Sequence, residues 1–174
     1  MQAAAVGDGR AVVIFHLGGH AFAFESQMVA EVVPNAWLAR PPALPSMVAG
    51  LLDLGGVAVT VLRGDHALDL PEQTFGLAAS ILIMRQTEDA ARGLSDRVVG
   101  VLVGRVDGVR DLASCQILPL SEELSFRSLV LAQLQVGGDV VHLLDWKRVL
   151  DAEEVLRLSD FHDRALRRSD LWDQ

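Results

Sequence analysis

The sequence has little of the chemistry that enzymes and metal-binding proteins commonly use. It contains one cysteine, Cys115, no tyrosine, six phenylalanines and three tryptophans. A single cysteine cannot form an intrachain disulfide, and without cysteine pairs the usual thiolate zinc sites are excluded. So few aromatic rings also argue against a surface on which bases or sugars would stack.

Positive charge and long apolar runs are scarce as well. Lys and Arg number 15 against 23 Asp and Glu, and the resulting formal charge of -8 repels a phosphate backbone. No apolar run reaches the ~20 residues that span a bilayer, and residues 1–10 lack the basic start and apolar core of a signal peptide. We therefore expect a cytoplasmic protein that binds no nucleic acid and does not insert into a membrane.

Short apolar, β-branched runs, broken by Gly, Pro or charged clusters, dominate the chain. Their close spacing leaves no room for crossover helices, so it favours antiparallel sheets or barrels over a parallel βαβ sheet. The predicted strands are 11–17, 20–25, 30–34, 48–54, 57–63, 80–85, 97–106, 129–136 and 139–145. Helix is predicted only from Asp145, a suitable N-cap residue, onward.

Two glycine pairs are predicted to form hairpin turns. Gly18 and Gly19 join the first two strands, and in the second strand Phe22 and Phe24 alternate with alanines, so both rings should face a core. The stretch "GLLDLGGVAVTVLR" (50–63) could instead be a phosphate loop, but it lacks the Lys and the Ser or Thr that such a loop requires. A hairpin turn with positive φ is the better interpretation.

No catalytic or metal-binding pattern is present. The five histidines show no ligand spacing, and the default interpretation of Cys115 is a buried, inert thiol. We expect no enzyme activity, no cofactor and no metal. A small β-barrel enzyme would need polar groups that converge in a pocket, and the sequence indicates none.

Four blocks occur in an order that resembles the CheW-like domain of bacterial chemotaxis and chemosensory systems. They are "VVIFHLGGHAFAFESQMVAEVV", "LPSMVAGLLDLGGVAVTVL", "RVVGVLVGRVDGVRDL" and "LVLAQLQVGGDVVHLLDWKRVL". The resemblance implies a mainly β fold of two small SH3-like, five-stranded β-barrel subdomains with a C-terminal helix. It divides the chain into a flexible N-terminus (1–10), the CheW-like domain (11–150) and a C-terminal helical extension (151–174), for which a frayed tail is the alternative.

The resemblance also implies a function and a set of contacts. A CheW-like protein is a non-catalytic adaptor that couples chemoreceptors, through their cytoplasmic tips, to the regulatory domain of a CheA-type histidine kinase, and is recruited to membrane-associated receptor arrays. It places Val32 and Val33 near the receptor-binding groove, although plain core valines are the alternative. It places a second partner contact at the turn formed by Asp53, Gly55 and Gly56.

The sequence departs from the family pattern at this turn. Asp53 stands where the family has Asn, Gly55 where it has Arg, Thr60 where it has Pro, and Arg63 where it has Asp. Gly104 likewise replaces a common Asp. Two hypotheses follow: an adaptor in an alternative chemosensory pathway, or a divergent localisation or regulatory protein that has lost one of the two contacts.

Overall fold

We describe a computed structural model that covers residues 10–85, 98–120, 129–149 and Arg167. The strands in chain order are β1 (Ala11–Leu17), β2 (His20–Glu25), β3 (Val29–Pro34), β4 (Val48–Leu54), β5 (Val57–Arg63), β6 (Ser80–Met84), β7 (Val99–Val103), β8 (Val106–Asp111), β9 (Gln116–Leu118), β10 (Val130–Val136) and β11 (Asp139–Leu144). The helices are α1 (Gly64–Ala67) and α2 (Trp146–Val149). Single 3-10 turns span Ser26–Met28 and Leu112–Ser114.

The strands form two sheets. One has six strands in the order β8-β1-β2-β11-β10-β9, and the other has five in the order β3-β6-β7-β5-β4. Most neighbouring strands are antiparallel, whereas β11 pairs with β2, and β5 with β7, in parallel. The predicted mainly β fold is confirmed, with six strands instead of five in the first sheet, and neither sheet closes into a barrel among the described strands.

The two sheets share one apolar core, and each also has a core of its own. In β2, Phe22 and Phe24 join the shared core, while Ala21 and Ala23 face the separate core of the first sheet. In the second sheet, Leu82 lies in the shared core and its neighbours in the strand face the other way. Because side chains alternate along a strand, the central strands are buried on both faces.

Glycine at two points allows this close packing. A Cβ on Gly100 would lie 2.9 Å from Ile81 Cγ2, and a Cβ on Gly104 would collide with the carbonyl oxygen of His16. Gly104 therefore stands where β1 crosses the bend between β7 and β8. The predicted single strand 97–106 is wrong because the chain bends here, and the apolar run continues into a separate strand.

Three further expectations are corrected, and one is confirmed. Helix is not confined to the C-terminal region, since α1 follows β5 directly. The short strand β9 was not predicted from the sequence. Cys115 is half-buried instead of buried, with its Sγ 3.5 Å from the backbone oxygen of Asp111. Asp145 does act as an N-cap, because its Oδ1 accepts a hydrogen bond of 3.0 Å from the backbone N–H of Lys147.

Some expectations lie outside the described residues. The N-terminus up to residue 9 and nearly all of the extension 151–174 belong to this group, so the domain boundaries stay predictions. Within the described part of the chain, no helix has the length and apolar character to cross a membrane.

Candidate partner-binding surfaces

Strand β3 carries the two valines to which the sequence assigned a receptor contact. Val32 pairs with Leu82 and Val33 with Ile81, so the two side chains point to opposite faces of the second sheet. Val33 packs against the core of that sheet, whereas Val32 remains 40% exposed. Val33 is therefore structural, whereas Val32 exposes apolar surface, and its contact with a receptor stays a prediction.

The turn between β4 and β5 carries the second predicted contact. Gly55 and Gly56 have φ of 61° and 89°, which are left-handed values that glycine adopts without a steric penalty. The carboxylate of Asp53 accepts a 2.8 Å hydrogen bond from the backbone N–H of Gly56, so it closes the turn. The hairpin turn is thus confirmed, and next to it Val57 is 50% exposed.

The structure does not bring these two surfaces together. β3 and β4 are the two edge strands of the same five-stranded sheet, with β6, β7 and β5 between them. The chain that follows β3 reaches the β4 edge, where Ala39 and Leu51 exchange two backbone hydrogen bonds of 2.9 Å. Asp53, Gly55 and Gly56 therefore form one surface, and Val32 belongs to another.

A third surface carries the most exposed apolar side chains on the described residues. Trp37 is 84% exposed and Leu77 is 100% exposed. Asn35 holds their two segments together, because its backbone N–H donates to the oxygen of Ala79 at 3.0 Å and its side chain donates to the oxygen of Gly76 at 3.1 Å. No motif in the sequence marks these two residues.

An ion pair that sequence reasoning missed lies at the end of β5. Arg63 donates from Nε to Asp65 Oδ1 at 3.1 Å and from Nη2 to Asp65 Oδ2 at 2.7 Å. Asp65 also accepts hydrogen bonds from the backbone N–H groups of His66, at 2.8 Å, and Gln73, at 2.7 Å. The Arg63 guanidinium lies 5.3 Å from the centre of the Phe75 ring, within cation–π distance.

The electrostatics of this pair favour its charged form. Burial alone would raise the pKa of Asp65, but the hydrogen bonds from Arg63, Gln73 and His66 outweigh burial and lower that pKa below its usual value. The hydrogen bond to Asp65 raises the pKa of Arg63 in turn. Both groups are therefore ionised at neutral pH, which fixes the guanidinium in position.

A groove of about 380 Å³ opens beside this ion pair. It is lined by Arg40, Leu44, Pro45, Ser46, Val48, Arg63, Asp65, His66, Leu70 and Glu72. Its walls come from the proline-rich connection before β4 and from α1 with the chain that follows. The only sequence signal for this groove was the spacing of Arg63 and Asp65, two residues apart at the end of a predicted strand.

Within residues 10–85, 98–120 and 129–149, no group of three or more His, Cys, Asp or Glu side chains is placed to hold a metal ion.

Comparison with known proteins identifies the family. The family model of the CheW-like domain matches residues 11–154. A search of curated protein sequences finds no match. Among solved structures, the chain is similar to the scaffolding protein TtCheW from Thermoanaerobacter tengcongensis, with a TM-score of 0.66 and 15% sequence identity over 88% of this chain and 96% of that one. The match of the family model over most of the sequence shows that this chain belongs to the CheW-like domain family.

Proposed function

We propose that the protein is a non-catalytic signalling adaptor that couples chemoreceptors to a CheA-type histidine kinase in a chemosensory pathway. The observation that carries the proposal is the match of the CheW-like family model over residues 11–154. The two-sheet fold supports it, since it agrees with that of a solved scaffolding protein over 96% of the latter's length. Recruitment of the protein to receptor arrays at the membrane follows from the same proposal.

The exposed face of β3 is the proposed receptor contact. Among the described strands β3 is bonded only to β6, so one of its backbone edges stays open. Val32 adds an exposed apolar side chain beside that edge. A receptor's helical tip could bury this side chain, and an apolar contact at the centre of an interface contributes more to affinity than charges at its rim.

The turn between β4 and β5 is the proposed kinase contact. A Cβ built on Gly55 or Gly56 meets no atom within 4 Å, so the partner has direct access to the backbone there. Val57 supplies the neighbouring apolar surface. Because the two contacts lie on opposite edges of one sheet, both partners can bind at the same time.

A second candidate function rests on Gly55. The position lies on an exposed turn and carries no side chain, so any ion pair that an Arg would make there is absent in this protein. A CheW-like protein without this contact could bind the receptor and leave the kinase unbound. It would then act as a localisation or regulatory factor instead of a coupling protein.

Binding of each partner separately tests the proposal. Isothermal titration calorimetry with a receptor cytoplasmic fragment should show that Val32→Asp weakens binding at least tenfold, because it places a charge in an apolar contact. The same variant should bind the kinase regulatory domain normally. Val109→Asp is the matched control, since Val109 is 63% exposed on the edge strand of the other sheet.

The kinase titration decides between the two candidates. Binding of the wild-type protein to both fragments supports the adaptor, and binding to the receptor fragment alone supports the localisation factor. Binding to neither fragment refutes both. Removal of residues 151–174 from the wild-type protein then shows whether the C-terminal extension takes part.

A further inference from the structure

We propose that the groove at the end of β5 binds a peptide segment of a partner protein through one carboxylate, which Arg63 and Arg40 receive. The site is separate from the exposed face of β3 and from the turn between β4 and β5. It therefore adds a third contact that does not depend on the proposed coupling of kinase and receptor.

The guanidinium of Arg63 is fixed in position by its hydrogen bonds within the protein. Its Nε and Nη2 groups are used by Asp65, and Nη2 also donates to the backbone oxygen of Gln73 at 2.9 Å. No described residue accepts a hydrogen bond from Nη1, and the side chain retains 17% of its exposure. A guanidinium that is already fixed in place loses little entropy when it binds, so the remaining donors suit a carboxylate.

Arg40 brings further donors to the same groove. Its Nε donates to the backbone oxygen of Ala49 at 3.1 Å, while its two Nη groups find no acceptor among the described residues. The hydroxyl of Ser46, which also lines the groove, makes no hydrogen bond to the described part of the chain. Charge-assisted hydrogen bonds from arginine to a carboxylate are stronger than neutral ones, so these groups favour an acidic ligand.

The acidic residues of the groove limit how much negative charge the ligand can carry. The charges of Asp65 and Arg63 largely offset each other in their ion pair, so Arg40, which has no ion-pair partner among the described residues, supplies most of the positive charge that faces the groove. Glu72 forms no ion pair with a described residue, but its charge already acts on Arg63, so it would repel a second negative group. A single acidic residue therefore fits, whereas a polyacidic segment does not.

The apolar wall defines the rest of the ligand. Leu44, Pro45, Val48 and Leu70 line the groove together with the polar residues. A volume of about 380 Å³ is within the range of small-ligand pockets, and it accommodates a carboxylate with an aliphatic neighbour. The ligand is thus a glutamate or aspartate flanked by aliphatic residues, a chemistry that peptides provide and inorganic anions do not.

An NMR titration of the full chain tests the proposal. The probe is the peptide acetyl-Leu-Glu-Leu-amide, and the signals followed are the Arg63 Nε–H and the backbone amides of His66 and Gln73. We expect saturable shifts at these groups. The peptide acetyl-Leu-Gln-Leu-amide should bind about tenfold more weakly, because a charge-assisted hydrogen bond exceeds a neutral one by ~1.4 kcal/mol.

Variants and a simple anion complete the test. Arg40→Gln should weaken binding of the glutamate peptide several-fold, whereas replacement of Arg105, an exposed arginine in the bend between β7 and β8, by Gln should not. The proposal is overturned if both peptides bind equally, if neither causes saturable shifts, or if Arg40→Gln has no effect. It is also overturned if sodium acetate binds as tightly as the peptide, since that marks an adventitious anion site only.

Discussion

Arg63 and Asp65, two residues apart at the end of β5, form an ion pair through two hydrogen bonds, of 3.1 Å and 2.7 Å. The Asp65 side chain is 2% exposed. Asp65→Ala removes the counter-charge and leaves the N–H groups of His66 and Gln73 without an acceptor. We expect the free energy of unfolding, measured with urea, to fall by about 3 kcal/mol.

Asp53→Ala is the control for this prediction. Asp53 is exposed, and its single hydrogen bond, to the N–H of Gly56, spans 2.8 Å. Loss of such a bond costs about 1 kcal/mol. Equal losses for Asp53→Ala and Asp65→Ala would contradict a structural role for the buried pair.

His142 makes the stability of the protein depend on pH. Burial lowers the pKa of His142 below its ordinary value of 6.5, and the charge of the nearby His20 acts in the same direction. The unfolded chain therefore binds a proton at a higher pH than the folded one. As pH falls from 6.5 towards the lower folded pKa, the free energy of unfolding decreases.

The measurement compares urea unfolding at pH 7.5 and pH 5.5. His142→Gln cannot titrate and keeps a polar group near Gln133, whose Nε2 lies 3.3 Å from His142 Nδ1. We expect the wild-type protein to lose more stability between the two pH values than this variant does. An identical loss would show that His142 does not contribute.

The turn between β4 and β5 requires left-handed backbone at both glycines. Gly55 has φ of 61°, a region that costs other L-residues roughly 1 kcal/mol, so Gly55→Ala and Gly55→Arg should each lower the free energy of unfolding by about that amount. Gly55→Asn should cost less, because asparagine tolerates this conformation.

Thermal and urea unfolding of the three variants check this order. A Gly55→Asn variant that is as unstable as Gly55→Ala would mean that the space around the turn, and not its φ, sets the cost. Gly56→Ala should also destabilise the protein, since Gly56 has φ of 89°.

Gly104, unlike Gly55, is needed because the backbone of another strand packs against it, and not because its φ is positive. A Cβ at this position would overlap the backbone oxygen of His16, which cannot move without shifting β1. We expect Gly104→Ala to cost about 2 to 3 kcal/mol in urea unfolding. Gly138→Ala is the matched control, because a Cβ there meets nothing within 4 Å, and it should change stability very little.

The local features of the fold were predictable from the sequence. The alternation of Phe22 and Phe24 with alanines indicated which face of β2 is core, and paired glycines marked the turn at Gly18 and Gly19. These features depend on neighbours in the chain. The burial of Ala21 and Ala23 against a second core was not predicted, because small apolar residues fit a surface as well as an interior.

The features that were missed depend on contacts between distant parts of the chain. The backbone of β1 packs against the bend at Gly104, and the apolar run around Gly104 gives no sign of that contact. The groove beside Arg63 needs Arg40 and Glu72 from separate segments. For the candidate sites, the sequence identified the hairpin turn but could not show which of Val32 and Val33 faces the core of their sheet.

A coupling adaptor must bind the receptor and the kinase at the same time. Size-exclusion chromatography with light scattering would follow a mixture of this protein, the kinase regulatory domain and a receptor cytoplasmic fragment. We expect one species with the mass of all three components, because the two proposed contacts lie on opposite edges of the second sheet. Mutually exclusive complexes, in which the receptor fragment displaces the kinase domain, would contradict it.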